Sequence, residues 1–295
     1  MRYFYYVHTG HRIGLDRFHR AVAIVNELQK EIDITLLCSD FRIAAEAKEY
    51  GIKRSVGIDL VRNIPQIAQN GDKIIFDSEE INPVLLEDMT QFFSSFIRIS
   101  DDPSDIKHAK ESLISPYLCG EGICNALVVD ERYFEPKPKT IPLALFFGDD
   151  DYEKDLQTHQ SVFAPFRMEL LMGFYHFLRY EEKLKESFVT VHESESYDKV
   201  IQESEILISA SAQAVLENLA GGGQPVFLQR PDYSENFLPL FESLGIPIVR
   251  NYSSEQLSHG IKQAALNDYR RIDKSNNKVI EFIRKTFDLE KLKPF

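Results

Sequence analysis

Short apolar runs and longer amphipathic stretches alternate along nearly the whole chain. Residues 206–228 show this most clearly, with an apolar run at 206–208, small residues at 209–211, a helical stretch, three glycines and a second apolar run at 225–228. Runs that are apolar on both faces are typical of parallel strands that helices cover on either side. This stretch therefore predicts a strand, a helix and a second strand of one parallel sheet.

The same alternation occurs on both sides of a polar, proline-containing run at 134–139. Before it, the pattern predicts strands at 3–7, 32–38, 53–58, 73–76 and 96–100 and helices at 15–28, 41–50, 60–69 and 84–93. After it, the pattern predicts strands at 141–147, 166–172, 188–191 and 246–249, a helix that ends near 163, and helices at 177–185, 197–202, 237–244 and 269–287. We therefore expect two doubly wound, Rossmann-like α/β domains that face a cleft, at 1–135 and 140–295, with the closing helix in the second.

Size and composition agree with two ordinary globular domains. The 295 residues are long for a single core, and apolar residues make up 43% of the chain against 27% charged. A formal net charge of -12 without a basic cluster argues against a nucleic-acid partner. The apolar runs fall short of the roughly 18 residues of a membrane span, and the N-terminus lacks a signal-peptide pattern. We expect a cytoplasmic protein with no membrane partner.

The three cysteines, at positions 38, 119 and 124, add no chemistry to this picture. An odd and sparse set is not a disulfide framework, which also fits a cytoplasmic protein. Cys119 and Cys124 are separated by four residues without a second pair nearby, which is a poor zinc pattern. No metal site and no cofactor are expected.

The helix predicted after residue 208 begins with groups that suit an anion. Its first backbone N–H groups lack intrahelical partners and lie at the positive end of the helix dipole, so with the hydroxyls of Ser209 and Ser211 they could hold a phosphate. Glu217, one to two turns further on, is placed where a carboxylate could accept the two hydroxyls of a ribose. The alternative is that the serines only cap the helix and that Glu217 is a solvated surface residue.

The loop after the first predicted strand is the second concentration of polar side chains. A loop at the carboxyl end of a parallel strand is the usual place for a ligand. Acidic residues at 77, 101 and 102 follow later strands, where they either point into the same crevice or cap the next helix. The loop and the first turns of its helix contain His8, His11, Asp16, Arg17, His19 and Arg20.

Four short stretches resemble one known family. Residues 13–20, IGLDRFHR, resemble the IGxGHxxR signature that opens the nucleotide-sugar hydrolases of pseudaminic acid biosynthesis and their relatives in spore-coat polysaccharide synthesis. Ser100-Asp101-Asp102, the segment from Cys119 to the ERYF at 131–134, and residues 208–225 with Glu217 resemble further parts of that family in the same order. The resemblance covers nearly the whole chain.

The resemblance implies a glycosyltransferase-B fold in which the second domain holds UDP and the sugar faces the first domain. It further implies a hydrolase, in which water attacks the anomeric carbon, UDP leaves, and the free amino sugar goes on to a nonulosonic acid for surface glycans such as flagellar decoration. In the family an opening histidine is thought to activate the water, and no metal is required.

The sequence departs from the family pattern at two places. Arg17 stands where the histidine is expected and Asp16 where a glycine precedes it; an arginine stays protonated and cannot accept a proton. The second-domain turn, usually two glycines, a small hydroxyl residue and Asp, is GDDD at 148–151. Extra carboxylates beside a diphosphate are unfavourable unless a cation offsets them.

These observations leave an enzyme and two alternatives. The enzyme cleaves a UDP-sugar or another nucleotide sugar, with His11, Asp16 and Arg17 as the catalytic candidates and His8 or His19 as further replacements for the base. The alternatives are a non-catalytic relative that binds a nucleotide sugar or a partner protein, and a glycosyltransferase with another acceptor. The substrate-binding candidates are Gly14, Arg20, Gly148, Ser209, Ser211, Ala212, Glu217 and Asn236.

Overall fold

The computed structural model describes residues 1–175 and 180–289, which divide into two compact units. The first unit contains Met1–Gly10, Arg17–Asp130 and the described residues from Lys274 onwards. The second contains His11–Asp16 and the described residues of Glu131–Asp273. The main division, after Asp130, lies a few residues before the polar run that the sequence suggests as a linker.

The first unit is built on a seven-stranded sheet in which every neighbouring pair is parallel. Its strand order is β3-β2-β1-β4-β5-β6-β7. Successive strands are therefore added on one side of β1 up to β3, and on its other side from β4 onwards. The strands are β1 Tyr3–Val7, β2 Ile34–Cys38, β3 Ser55–Gly57, β4 Lys73–Asp77, β5 Ser95–Ile99, β6 Ser112–Ser115 and β7 Ile123–Asn125. The last two strands were not predicted from the sequence.

Helices cover this sheet wherever an apolar stripe recurs at helical spacing. In the first helix, Phe18, Val22, Val25 and Leu28 are all fully buried, as their spacing predicts. The helices are α1 Asp16–Leu28, α2 Phe41–Glu46, α3 Ile64–Ile67 and α4 Pro83–Phe92, with 3-10 turns at Ala47–Tyr50 and Val61–Asn63.

The second unit is built on a six-stranded parallel sheet of order β10-β9-β8-β11-β12-β13, which reverses at β8. Its strands are β8 Ile141–Phe146, β9 Glu169–Leu171, β10 Val191–His192, β11 Ser204–Ser209, β12 Gln224–Leu228 and β13 Ile248–Val249. Its helices are α5 Asp155–Thr158, α6 Gln160–Phe163, α7 Tyr180–Leu184, α8 Tyr197–Glu203, α9 Ala212–Ala220, α10 Leu238–Leu244 and α11 Ser254–Ala264. The prediction of two parallel-sheet α/β domains is confirmed.

Several predicted helices differ in extent from those observed, among them the helix predicted at 60–69, of which α3 forms only Ile64–Ile67. The helix expected up to residue 163 is broken into α5 and α6. The N-terminal part of the helix predicted at 177–185 lies outside the described residues, and α7 covers its remainder. The closing helix, α12 Asn276–Thr286, begins seven residues later than the predicted start at 269.

The closing helix also packs on the first sheet, whereas the sequence-based division assigns it to the second domain. Val279, Ile280 and Ile283 are buried, and the ring of Phe287 lies 5.8 Å from that of Tyr3 on β1. The hydroxyl of Ser95 donates to the carbonyl of Thr286 at 3.2 Å. Within the described residues, no helix is long and apolar enough to cross a membrane.

Candidate functional site

Each sheet has one point at which the strand order reverses, and the loops there separate at the carboxyl ends of the strands. In open α/β sheets this is the usual ligand position. In the first unit the loops follow β1 and β4, and in the second unit they follow β8 and β11. Nearly all of the sequence-predicted site residues lie in these four loops or in the first turns of the helices after them, so each unit contributes its own candidate site.

Two serines shape the opening of α9 in the second unit. The hydroxyl oxygen of Ser211 accepts the N–H of Ala214 at 3.0 Å, which makes Ser211 the N-cap of α9. The hydroxyl oxygen of Ser209, the last residue of β11, accepts the N–H of Ser211 at 3.0 Å. Both serines are buried, and Ala212 is the buried first residue of the helix.

The carboxylate of Asp16 lies on this helix opening. Its Oδ1 accepts the hydroxyl of Ser211 at 2.5 Å, and its Oδ2 accepts the backbone N–H of Gln213 at 3.2 Å. These are donors of the kind that hold a phosphate at a helix N-terminus. A carboxylate from the first loop therefore occupies the groups that the sequence assigns to a phosphate.

Glu217 is buried within the second unit, with 1% of its surface exposed. Its carboxyl accepts the hydroxyl of Tyr197 at 2.8 Å and the side-chain amide of Gln213 at 3.0 Å. Burial raises the pKa of Glu217 to about 8, because a charged carboxylate is poorly solvated there. The solvated surface position is excluded, and the carboxyl already holds two donors of this chain.

The three aspartates of the GDDD turn have different partners. Asp149 accepts the backbone N–H of Phe174 at 2.8 Å, and burial raises the pKa of Asp149 to about 7. Asp151 accepts the N–H groups of Asp155 and Leu156, the first two residues of α5, at 2.7 and 3.3 Å. The turn therefore does not present three free carboxylates.

Asp150 is paired with a cation that sequence reasoning missed. The guanidinium of Arg230 lies 3.2 Å from the carboxylate of Asp150, and the hydroxyl of Tyr233 donates to the same oxygen. Arg230 is 2% exposed at the end of β12, and its guanidinium lies 4.3 Å from the ring centroid of Tyr233 and 5.0 Å from that of Phe147. A single arginine just after an apolar strand was the available signal.

The two glycines among the candidates lie beside Asp150. Gly14 has φ of +79° and Gly148 has φ of +105°, a conformation that other residues rarely adopt. A Cβ on Gly148 would lie 3.0 Å from the hydroxyl of Tyr233, and one on Gly14 would lie 3.8 Å from the carboxylate of Asp150. The loop at 14 and the turn at 148 therefore each need a glycine for their backbone conformation.

His11 and Asn236 also belong to the second unit, where His11 lies in the loop after β1 and Asn236 in the loop before α10. His11 is exposed, with its ring 5.4 Å from that of Tyr152 and 6.3 Å from that of Tyr175. The backbone N–H of Asn236 donates to the hydroxyl oxygen of Ser234 at 3.2 Å in the loop before α10.

Arg20 and Arg17 are both held by carboxylates in the first unit. Arg20 is buried and donates to both oxygens of Asp77, at 2.9 and 2.6 Å, and to Asp101 at 2.7 Å. Arg17 lies 3.3 Å from Glu79 and 3.8 Å from Asp77. The carboxylates of Asp77 and Asp101, at the ends of two strands, are therefore both held by Arg20 of α1.

His8 lies at the reversal point of the first sheet, where a neutral imidazole can accept a proton. Its ring nitrogens lie 4.0 Å from Glu79 and 3.8 Å from Glu80. Within the described ranges Nδ1 is buried without a hydrogen-bond partner. Burial lowers the pKa of His8, with Glu80 opposing and Arg17 reinforcing this effect. The imidazole is therefore kept neutral and able to act as a base.

His19, the other histidine of α1, lies in aromatic packing. It is buried, and its ring lies 6.1 Å from that of Phe18 and 6.0 Å from that of Tyr50. Its surroundings are those of a core residue.

Neither a family model nor a curated protein sequence matches this chain, but solved structures do. The putative UDP-N-acetylglucosamine 2-epimerase of Listeria monocytogenes is 10% identical, with a TM-score of 0.63 over 100% of this chain and 99% of its own. The calicheamicin glycosyltransferase CalG4 is 12% identical, with a TM-score of 0.57 over 98% and 94%. HepE of Anabaena, solved in complex with UDP, is 9% identical, with a TM-score of 0.57 over 99% and 97%.

At these identities the similarity concerns the fold alone. The two parallel-sheet units and the coverage of nearly the full length of each chain show that this protein has the glycosyltransferase-B fold. That part of the family resemblance is confirmed.

Proposed function

We propose that this protein cleaves a UDP-linked acetamido sugar at its anomeric carbon and releases UDP, in the synthesis of a nonulosonic acid or another surface polysaccharide. The observation that carries the proposal is the α9 opening, where donors at the reversal point of the second sheet already hold an anionic group. The fold and the family motifs support the same substrate class.

In this proposal the diphosphate of UDP binds at the opening of α9. Ser209, Ser211 and the N–H groups that follow Ala212 supply donors, and Gly148 lets the backbone come close to the ligand. Glu217 acts differently from the expectation based on the sequence alone. Because its carboxyl holds Tyr197 and Gln213, it positions the helix opening instead of binding the ribose.

His8 replaces the missing histidine as the general base. A water oxygen forms the new bond to the anomeric carbon while the bond from that carbon to the phosphate oxygen breaks and its electron pair leaves with UDP. The proton of the water goes to the neutral imidazole of His8. Arg17 stays protonated throughout, so its role is to bind an oxyanion or to hold Glu79 beside His8.

The test is a calorimetric titration with UDP, followed by incubation with UDP-linked acetamido sugars and measurement of released UDP. We expect one UDP bound per chain and UDP release that depends on the protein. Absence of UDP binding would overturn the proposal.

Two alternatives lead to different results in the same test. The replacement of the family histidine by Arg17 and the occupied α9 opening favour a non-catalytic relative, which binds UDP but releases none from any UDP-sugar. A glycosyltransferase releases UDP only after an acceptor has been added.

A further inference from the structure

Asp16 belongs to the first loop by sequence, yet its carboxylate lies on a helix opening 195 residues further along the chain. It accepts the hydroxyl of Ser211 and the N–H of Gln213. A phosphate oxygen at this helix N-terminus would use the same two donors. The chain therefore supplies its own anion to the position that the proposed function assigns to a phosphate.

We propose that Asp16 is a specificity-determining residue that competes with incoming anions for the opening of α9. A small anion such as pyrophosphate can displace the carboxylate only through its own contacts with the α9 donors. It therefore binds weakly. A nucleoside diphosphate gains further contacts through its nucleoside and displaces the carboxylate more readily. The proposal rests on the proposed function for the identity of the nucleotide, but the competition itself rests on the contacts of Asp16.

The other carboxylates near this opening do not produce the same competition. Asp150 lies on Arg230 at 3.2 Å and on the hydroxyl of Tyr233, not on the α9 donors, and Arg230 also holds Asp232 at 2.5 Å. Asp151 accepts the first two N–H groups of α5. Asp16 is the carboxylate whose oxygens lie on the α9 donors, and two like charges that share donors in a partly buried place repel each other strongly.

Asp149 is a second buried carboxyl in this unit, and the charge of Asp16 disfavours its ionised form. The residue is 5% exposed, and its Oδ2 has no hydrogen-bond partner among residues 1–175 and 180–289. Burial, with Asp16 and Asp150 nearby, raises the pKa of Asp149 to about 7, which favours its protonated form. A protonated carboxyl donates a hydrogen bond, which an incoming oxyanion can accept.

A purely structural role for Asp16 leads to a different expectation. If Asp16 only satisfied the N–H of Gln213, removal of its charge would change stability and leave anion affinity as it is. Competition predicts the opposite sign for binding: affinity for anions rises when the carboxylate is removed.

The test compares wild-type protein with Asp16→Asn and Asp16→Ala by calorimetric titration at pH 7. Asn keeps an oxygen for Ser211 and Gln213 without the charge, and Ala removes the side chain and covers the case in which Asn disturbs the loop. The probes are inorganic pyrophosphate and UDP. We expect both variants to bind pyrophosphate about tenfold more tightly than wild type, and UDP also more tightly.

Asp40→Asn is the matched control. Asp40 also accepts a backbone N–H at a helix opening, that of Arg42 at 2.8 Å at the start of α2, but in the other unit. We expect its affinities for both probes to equal those of wild type. The competition is overturned if neither Asp16 variant binds pyrophosphate more tightly than wild type, whatever happens with UDP. If pyrophosphate binding improves but no form binds UDP, the competition stands and the proposed function fails.

Discussion

Glu217 shows at the residue scale how burial decides what a carboxyl does. Burial raises its pKa from 4.5 to about 8, so the neutral form is favoured in the folded state. The stability from this neutral carboxyl is fully present below pH 4.5 and is lost as the pH rises through about 8. Unfolding in urea should therefore show Glu217→Gln gaining stability over wild type between pH 5 and pH 9, by on the order of 3 kcal/mol.

The exposed Glu205, in the same unit on β11, provides the control for this measurement. Glu205→Gln should follow wild type across the whole pH range, because the charge of an exposed carboxylate is solvated in both states. If the free energy of unfolding of Glu217→Gln differed from that of wild type by the same amount at pH 5 and pH 9, the buried neutral carboxyl would be contradicted.

His8 carries the second residue-scale prediction, because it is the proposed base. His8→Gln should lower the rate of UDP release by on the order of 100-fold or more while the Kd for UDP stays unchanged. His108→Gln, a change of an exposed histidine in the same unit, should leave both unchanged. Equal rates of UDP release in wild type and His8→Gln would remove His8 from the mechanism.

The environment of His8 also determines how kcat/KM for UDP release should depend on pH. The charged groups that face it are Glu80, Arg17, Glu79 and Asp77, and burial outweighs the carboxylates to lower the pKa of His8. Since the base works only when unprotonated, kcat/KM should fall only at a pH below 6.5, the ordinary histidine value. A fall centred above pH 6.5 would assign the proton transfer to another group.

At the scale of elements, the opening of α9 combines a structural and a binding role. Ser211→Ala removes the N-cap and a ligand donor, so it should cost about 1 kcal/mol of stability and also weaken UDP binding. Ser253 caps α11 in the same way, accepting the N–H of Gln256 at 3.1 Å. Ser253→Ala should lose similar stability without any change in the Kd for UDP. Equal UDP affinities in the two variants would separate α9 from the nucleotide site.

At the scale of the whole molecule, α12 belongs to the core of the first unit although it follows the second unit in the sequence. Ile283→Ala truncates a fully buried side chain of α12 and should cost roughly 2–5 kcal/mol. Hydrogen exchange should become faster in β1, β4 and β5 but not in β8, β11 and β12. Lys285→Ala, at an exposed position of the same helix, should change neither the stability nor the exchange rates.

The alternation of apolar runs was sufficient to predict two parallel sheets, because strands buried on both faces leave a continuous signal in the sequence. It missed β6 and β7, because Ser112–Ser115 and Ile123–Asn125 mix polar residues with two apolar ones and leave no continuous apolar run. It also assigned α12 to the second domain, since an apolar helical stripe does not specify which core covers it.

Only those features of the candidate site that depend on residues close together in the sequence could be predicted. The N-cap Ser211 follows from residues close to it in the chain, whereas the contact of Asp16 with α9 depends on the tertiary fold. The burial of Glu217 and the pairing of Asp150 with Arg230 were likewise invisible, because both depend on neighbours from distant elements.

Hydrogen exchange with and without UDP tests the central claim most directly, because it reports both binding and its location. The account predicts that UDP slows exchange at 209–214 and at 148–150, and leaves α4 of the first unit unchanged. If saturating UDP protected neither of these two segments, the second unit would not be the nucleotide-binding unit and the proposed function would be contradicted.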